Sequence, residues 1–499
     1  MKFITIINNQ SVPSGNIPEL GYDSFLDFNT ELISGHPERH CIQYFGYLDN
    51  GKIRLVSCIA DDTEHSILVS SSRIDEKSSL KSFSGRVLAF EKFEREISEN
   101  FGILYTDHPW MKPVRYPENR ADRNSTIANY PFYSIESEEL HEVGVGPVHA
   151  GIIEPGHFRF ICNGEQILHL EIQLGYQHRG VEQLFAEKKK LIQRTVLAES
   201  IAGDSVVEHA SAFAFLMESL SGTRVSREVL LSRTIAQELE RIAIHTGDLS
   251  ALCTDIAYQL GSAVLGRLRT PIINFFQEWC GNRLAKGLIR TGYNPFPFTT
   301  DLAKRLSAVL EAFEPDFIEI NNEISKLPSS LSRFERTGML NYEQLLKIGT
   351  VGMSARMNTL VRDIRLTHPY GVYNEINHEP VIKHHGDVYS RVQIRKQEVL
   401  QSIAYIRKLM KEVTGEESSW TGKISLAPDS FGISLTEGWR GEVCHACITD
   451  HSGDIKVYKI KDPSFHNWLA LALAVRNNEI SDFPVSNKSF DLSYCGHDL

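Results

Sequence analysis

The segment from Gly146 to Gly180 constrains this chain more than any other. It reads Gly146-Pro147-Val148-His149-Ala150-Gly151-Ile152-Ile153-Glu154-Pro155-Gly156-His157-Phe158-Arg159-Phe160, and then Leu174-Gly175-Tyr176-Gln177-His178-Arg179-Gly180-Val181-Glu182. From Glu142 to about Glu171 the pattern predicts a strand-rich region, with Phe158, Phe160 and Ile167-Leu168-His169-Leu170 in paired segments. Beyond Gly180 the period becomes helical and stays so to about Met410. Between Val229 and Leu249, the residues Leu231, Ile235, Leu239, Ile242 and Leu249 recur at helical spacing. Between Asp387 and Lys411, a second stripe runs through Val388, Val392, Val399, Ile403 and Ile406.

The flanks mix both classes. Ile53-Arg54-Leu55-Val56-Ser57-Cys58-Ile59 and His65-Ser66-Ile67-Leu68-Val69-Ser70 read as paired strands. Phe90, Phe93, Ile97 and Phe101 share one helical face, which Gly102 ends. Pro109, Pro113, Pro117 and Pro131 punctuate an extended connector. After Trp439, the stretches Glu442 to Thr449 and Ile455 to Ile460 predict a hairpin around Asp450-His451-Ser452-Gly453-Asp454. A helix from Phe465 to Arg476 and an irregular C-terminus follow. A chain of 499 residues exceeds the ~250–300 that one core usually supports. The expected fold class is therefore α+β: an N-terminal α/β domain (residues 1–115), a linker (116–141), and a mainly helical large domain (142–499) with small β regions at both its ends.

Charge and composition exclude several functions. A net charge of −11, with no basic run longer than Lys188-Lys189-Lys190, argues against nucleic acid as a partner. The longest apolar run, Trp468 to Val475, falls far short of the roughly 20 residues that span a bilayer. Scattered cysteines suggest a reducing, cytoplasmic compartment rather than a disulfide framework. Cys444 and Cys447, near His451, make one pair only, and on a strand they would point to opposite faces. Packing is therefore expected there rather than zinc. No glycine-rich nucleotide loop is present.

Glu94-Arg95-Glu96-Ile97, Phe101-Gly102-Ile103 and Asp107-His108-Pro109 resemble the signature of the thirty-kilodalton-type subunit of respiratory complex I, with Glu99 where that family has an aspartate. From about Val143 onward the chain resembles another family, the large subunit shared by group 4 nickel–iron hydrogenases and the quinone-cavity subunit of complex I. The Gly146–Glu182 segment carries this likeness. So do Gly349-Thr350-Val351-Gly352, Asp363-Ile364-Arg365, His368-Pro369-Tyr370-Gly371, Gly386-Asp387-Val388-Tyr389-Ser390-Arg391, Arg440-Gly441-Glu442 and Asp462-Pro463-Ser464-Phe465. Fusion of the two parts is similar to hydrogenase-type members such as formate hydrogenlyase.

The resemblance also marks where metal ligands should stand. Hydrogenases hold nickel and iron through two Cys-x-x-Cys pairs, since soft thiolates suit these metals. Here Glu199-Ser200-Ile201-Ala202-Gly203-Asp204-Ser205 puts Ala202 and Ser205 at the first pair. Asp491-Leu492-Ser493-Tyr494-Cys495-Gly496 puts Ser493 and Gly496 at the second, with Cys495 one position out of register. No metal is therefore expected in this chain. On the quinone side, His157 matches the family's hairpin histidine, and the tyrosine that should contact a quinone falls at Gly203. Tyr176 and Tyr494 are the tyrosines available to approach such a cavity.

The expected catalytic residues are His157, Asp204, Glu208 and His209, with His149, His178, Ser205 and Tyr494 binding substrate. Asp204 and Glu208, like Ser205 and His209, lie four apart and would face one way on a helix, as proton relays or as polar filling of the vacated pocket. His178 and Glu182 would share a helix face with Arg179 beside them, as proton carriers or as a structural ion network. His157 is a proton donor or a turn histidine. Arg233, Arg241, Arg356, Arg362, Arg365 and Arg391 are scattered through the helical part, where the family's arginines face the partner subunit or the cavity mouth.

The resemblance implies a subunit of a membrane-bound, complex I-like, ion-translocating oxidoreductase. Its partners would be a small iron–sulfur subunit, which holds the cluster, and antiporter-like membrane-arm subunits, with a quinone as acceptor. The chain would sit peripherally on the cytoplasmic face of the inner (plasma) membrane, touching it through partners. The alternatives are a working hydrogenase with unusual ligands and a non-catalytic coupling scaffold.

Overall fold

The computed structural model describes residues 2–151, 153–415 and 422–499. In the N-terminal part, the strands Ile4–Ile6, Ser66–Ile74, Lys52–Asp61 and Arg39–Asp49 form an antiparallel sheet, and Glu19–Leu20 runs parallel along Ser66–Ile74. Alternation sends successive side chains to opposite faces, and both faces are covered. Tyr44, Ile53 and Leu55 meet Phe25, Leu26, Phe93 and Ile97 of the helices Tyr22–Ile33 and Glu91–Phe101. Phe45, Val56, Cys58 and Val69 enter a second core shared with Leu239 of the helical part and Ile433 of the C-terminal sheet. The two halves of the chain thus share apolar interior.

Strand exchange ties them further. Ser11–Pro13 pairs antiparallel with Ser430–Gly432, adding a fourth strand to the sheet of Ser430–Glu437, Glu442–Thr449 and Ile455–Lys461. Asn8 fixes the register. Its Nδ2 donates to His368 O (2.8 Å) and Leu435 O (3.0 Å), and its Oδ1 accepts from Leu435 N (2.8 Å). Replacing Asn8 by Ala should therefore lower unfolding stability by about 1–2 kcal/mol, the range expected when bonded backbone groups lose their partners. An unfolding midpoint equal to that of the parent chain would show that the strand is held by other means.

Five long helices, Val206–Ser221, Arg227–Asp255, Gln259–Cys280, Thr300–Ile324 and Val388–Met410, carry the large part. Polar caps start three of them: Ser226, Thr299 and Asp387 accept from the backbone of Val229, Leu302 and Ser390. The sheet His141–Val145, His157–Asn163 and Gln166–Gln173 precedes them, with Phe160 opposite Leu170 as the pattern predicts. The connector holds only the short turn Ile127–Asn129 before His141.

The expected α+β class, the Lys52–Asp61/Ser66–Ile74 pair and the 442–460 hairpin are all present. The helix ended by Gly102 in the left-handed conformation is present too. The tail differs from the irregular C-terminus expected, since Phe483–Phe490 and Tyr494–Asp498 are helical. Both are too short to show a stripe. Cys444 and Cys447 point into different cores, and all eight cysteines are buried and unpaired. Among the described residues, no helix is long and apolar enough to cross a membrane.

Candidate functional site

The two segments at the expected ligand positions face each other. Glu199–Ser205 is a turn between the helices Leu191–Ala198 and Val206–Ser221, closed by Ser205 N donating to Ala202 O (3.2 Å). Ser493 caps the last helix, its Oγ accepting from Gly496 N (2.9 Å). Arg179 bridges the segments, donating to Ser200 O (2.7 Å), Ile201 O (2.8 Å) and Cys495 O (3.3 Å).

Arg440 fills the space between them. It sits in the tight turn joining Ser430–Glu437 to Glu442–Thr449 and is almost fully buried, at 4% exposure. Its Nη1 and Nη2 grip both Asp204 oxygens (2.8 and 2.7 Å), Nη1 also reaches Ser205 Oγ (3.2 Å), and Nε donates to Asp491 O (2.5 Å). The guanidinium lies 3.9 Å from the Trp439 ring centre. One planar cation with a rigid fork of donors thus joins both segments.

A nickel–iron centre does not fit these residues. Ala202 and Gly496 offer no donor atom, and the Ser205 and Ser493 hydroxyls are engaged with Arg440 and Gly496. A Cβ at Gly496 would stand 2.6 Å from Asp462 Oδ2, so a cysteine there collides with a buried carboxylate. The nearby sulfur, Cys495, has its thiol pushed up to about 12 by burial, which keeps it from the thiolate form that metals bind. Among the described residues, no three His, Cys, Asp or Glu side chains are grouped to hold a metal ion.

Beside this plug lies a chain of proton-bearing groups. His209 Nε2 is 3.2 Å from Asp462 Oδ2, His209 Nδ1 is 3.0 Å from His445 Nε2, and His445 Nδ1 is 2.8 Å from Tyr458 OH. Burial opposes ionisation of Asp462, but the hydrogen bond and charge of His209, with Arg440, hold its carboxyl below the usual range. Burial and then His209 push His445 well below the usual histidine value. Glu208 packs against Gly438 and accepts from Trp439 N (3.1 Å), leaving Oε1 without a partner. Burial, and then Asp462, raises its carboxyl. Glu240 accepts from the backbone of Val207 (2.8 Å) and Glu208 (3.3 Å), and burial with the Glu208 charge raises it well above the carboxylate range.

The shared helix face expected for Asp204 and Glu208 does not form. Asp204 precedes the helix and meets Arg440, whereas Glu208 lies inside it and meets Trp439. His178 likewise precedes its helix, Val181–Glu187. Its Nδ1 bonds Asp498 O (2.8 Å), while Glu182 takes Lys459 Nζ (2.5 Å) together with Glu96 of the N-terminal part.

The hairpin residues split in two. His149 Nε2 bonds Gly156 O (2.8 Å), and Gly156 lies so close to Tyr494 that a Cβ would come within 2.6 Å of the ring. Burial lifts the Tyr494 hydroxyl to about 12. His157 alternates with the buried Phe158 and turns the other way, its ring 5.1 Å from Phe132 of the connector. Burial lowers its pKa.

The six arginines scattered through the helical part are all buried at 3% exposure or less, and three of them build a network under the Arg440 turn. Arg356 pairs with Asp363 (2.6 Å), Glu398 (2.7 Å) and Glu437 (3.4 Å). Arg365 pairs with Asp363 (2.7 Å), Glu398 (3.3 Å) and Glu238 (3.4 Å), and Arg241 with Glu238 (3.4 Å) and Glu398 (3.6 Å). Arg241 also donates to Glu437 O and Gly438 O (2.8 and 3.0 Å), which holds the turn that presents Arg440.

Arg440, Asp462, Asp491 and Glu240 are site residues that the sequence does not single out. The signals are the presence of Arg440-Gly441-Glu442 and Asp462-Pro463 among the family-like motifs and of Asp491 at the head of the second ligand segment.

Residues 255–433 match the model of the family described as respiratory-chain NADH dehydrogenase, 49 Kd subunit. The carbon monoxide-induced hydrogenase of Rhodospirillum rubrum is 28% identical over 355 residues, covering 70% of this chain and 97% of its own. Hydrogenase-4 component G of Escherichia coli (strain K12) is 25% identical over 430 residues, 83% of this chain and 74% of that protein. The C/D subunit of NADH-quinone oxidoreductase from Phocaeicola vulgatus is 24% identical over 455 residues, 84% of this chain and 87% of that one.

Proposed function

We propose, from its place in the superfamily of complex I and group 4 hydrogenase large subunits, that this chain is a subunit of a membrane-bound, ion-translocating oxidoreductase. It receives electrons from a small iron–sulfur partner and couples reduction of a quinone-like acceptor, or proton movement itself, to transport. It rests peripherally on antiporter-like membrane subunits, on the cytoplasmic face. His149 and Tyr494 mark the side from which the acceptor approaches, His157 faces the connector on the other side of the same strand, and Ser205 and His178 hold the two loops in place. Glu208 sits as a proton-bearing group beside the relay, and Asp204 anchors Arg440 next to it.

The Asp462–His209–His445–Tyr458 chain carries this reading. With His209 cationic, its Nε2–H donates to Asp462 and its Nδ1–H to His445 Nε2, and His445 Nδ1–H donates to the Tyr458 oxygen. With His209 neutral, Tyr458 donates to His445 Nδ1, His445 Nε2–H to His209 Nδ1, and His209 Nε2–H to Asp462. The two arrangements differ by one proton and use the same heavy-atom positions. A proton can therefore be held or passed on without repacking a buried core.

The test uses the intact complex in sealed vesicles, with His209→Gln and His445→Phe variants. Acceptor reduction and ion uptake should fall together by roughly a hundredfold, the scale of lost proton transfer, while the subunits remain assembled. Unchanged rates would leave the chain a coupling scaffold. Stoichiometric nickel in the purified complex would instead return it to the hydrogenases.

A further inference from the structure

We propose that the cavity between the helices Glu91–Phe101 and Ser464–Ala474 binds an amphipathic carboxylate, an aliphatic chain of medium length whose anionic head rests on Arg476 and His169. The cavity has a volume of about 230 Å³ and lies apart from the Arg440 plug and the His209 relay. A cavity of roughly 150 Å³ already holds a benzene-sized guest, so a longer aliphatic body fits. Leu170, Leu174, Leu469, Leu473, Trp110 and Trp468 give it mostly apolar walls.

Its charges are not balanced. Both lining carboxylates are occupied: Glu91 by Arg95 (3.0 Å), and Glu171 by Lys112 (2.5 Å) and Tyr133 N (2.7 Å). Arg476 has no ion-pair partner among the described residues and reaches only His169 Nδ1 (3.2 Å). His169 Nε2 is buried without a hydrogen bond. This corner therefore presents donors that match a carboxylate. Lys92 lies at the other end of the helix Ser464–Ala474, where it donates to Phe465 O (2.6 Å). Burial brings its ammonium down to about 7. Above neutrality Lys92 is mostly uncharged and the neighbouring Glu91 and Arg95 neutralise each other, so that end carries no net charge and an apolar tail is accommodated there.

The purified full chain, titrated with decanoate and separately with decanol, tests this through tryptophan fluorescence, since Trp110 and Trp468 line the cavity. Decanoate should bind saturably and more tightly than decanol. Arg476→Gln, at an exposed position, should weaken decanoate by roughly tenfold, the value of one charge-assisted contact, and leave decanol unchanged. Ala472→Phe, which fills the cavity, should abolish both. Equal affinity for decanoate and decanol, or decanoate binding that survives Ala472→Phe in a folded protein, would overturn the assignment. An equal effect of Arg476→Gln on both ligands would do the same.

Discussion

Replacing Glu398 by Gln should destabilise this protein by about 3–5 kcal/mol, the cost of breaking one partner out of a buried ion pair, whereas Glu437→Gln should cost less than about 1 kcal/mol. The two carboxylates lie in the same network, both at 1% exposure or less. Three arginines face four acids there, so full ionisation leaves one negative charge in excess. Burial works against all four acids. Arg356, the His245 hydrogen bond (2.8 Å) and Arg241 overcome it at Glu398 and hold that carboxyl well below the usual range. At Glu437, burial and the neighbouring Asp363 charge win and raise it well above. One proton on Glu437 balances the cluster, and glutamine copies that protonated form.

The pH consequences have opposite signs. Glu398 and Asp363, depressed in the fold, stabilise it above their unfolded values near ~4, and that contribution is lost as acid brings the pH through their folded values. Glu437, raised in the fold, favours the folded chain below ~4, and its contribution fades as the pH climbs toward its folded value. Glu437→Gln should therefore flatten the decline in stability toward alkaline pH. Urea midpoints measured across pH for both variants decide the matter. Equal losses would mean that both side chains are ionised.

Arg440→Leu ranks next. It removes both bonds to Asp204 and the contacts to Ser205, Asp491 and the Trp439 face. Because the Asp204 side chain keeps 39% exposure, the loss belongs at the low end for a broken pair, about 3 kcal/mol. Arg440→Lys should recover only part of it, since an ammonium cannot hold both carboxylate oxygens in the guanidinium geometry. Thermal unfolding of the three proteins reads this directly, and a leucine variant as stable as the parent would make the plug mere filling. Nickel content should stay at background in every variant, because removing the arginine restores no thiolate.

What the sequence disclosed depends on how local each signal is. The Phe90–Phe101 stripe ended by Gly102, the strands on either side of Asp61 and the hairpin after Arg440 depend on neighbours a few residues apart, and each is present. The eight- and five-residue helices at the C-terminus are too short for periodicity, although Pro484 after Asp482 is a start signal at the first of them. The site was half legible. Missing cysteines could be seen at four positions, but not what replaced them, because Asp204 and Arg440 lie 236 residues apart. His209 and His445 likewise meet only through the fold. The helical spacing of Asp204 with Glu208, and of His178 with Glu182, misleads for a simple reason. Both helices begin after the first member of the pair, at Val206 and Val181.

The exchanged strand has a consequence for how the protein is made. Ser11–Pro13 leaves the ribosome about 420 residues ahead of its pairing edge, Ser430–Gly432. At about 5–20 residues per second, that is a delay of roughly 20–80 s. Throughout that interval the sheet face bearing Phe45, Val56 and Val69 also lacks Ile433, one of the residues that covers it. The nascent chain therefore carries an unfinished apolar surface throughout that interval, which makes it a natural client for a chaperone until the partner strand arrives.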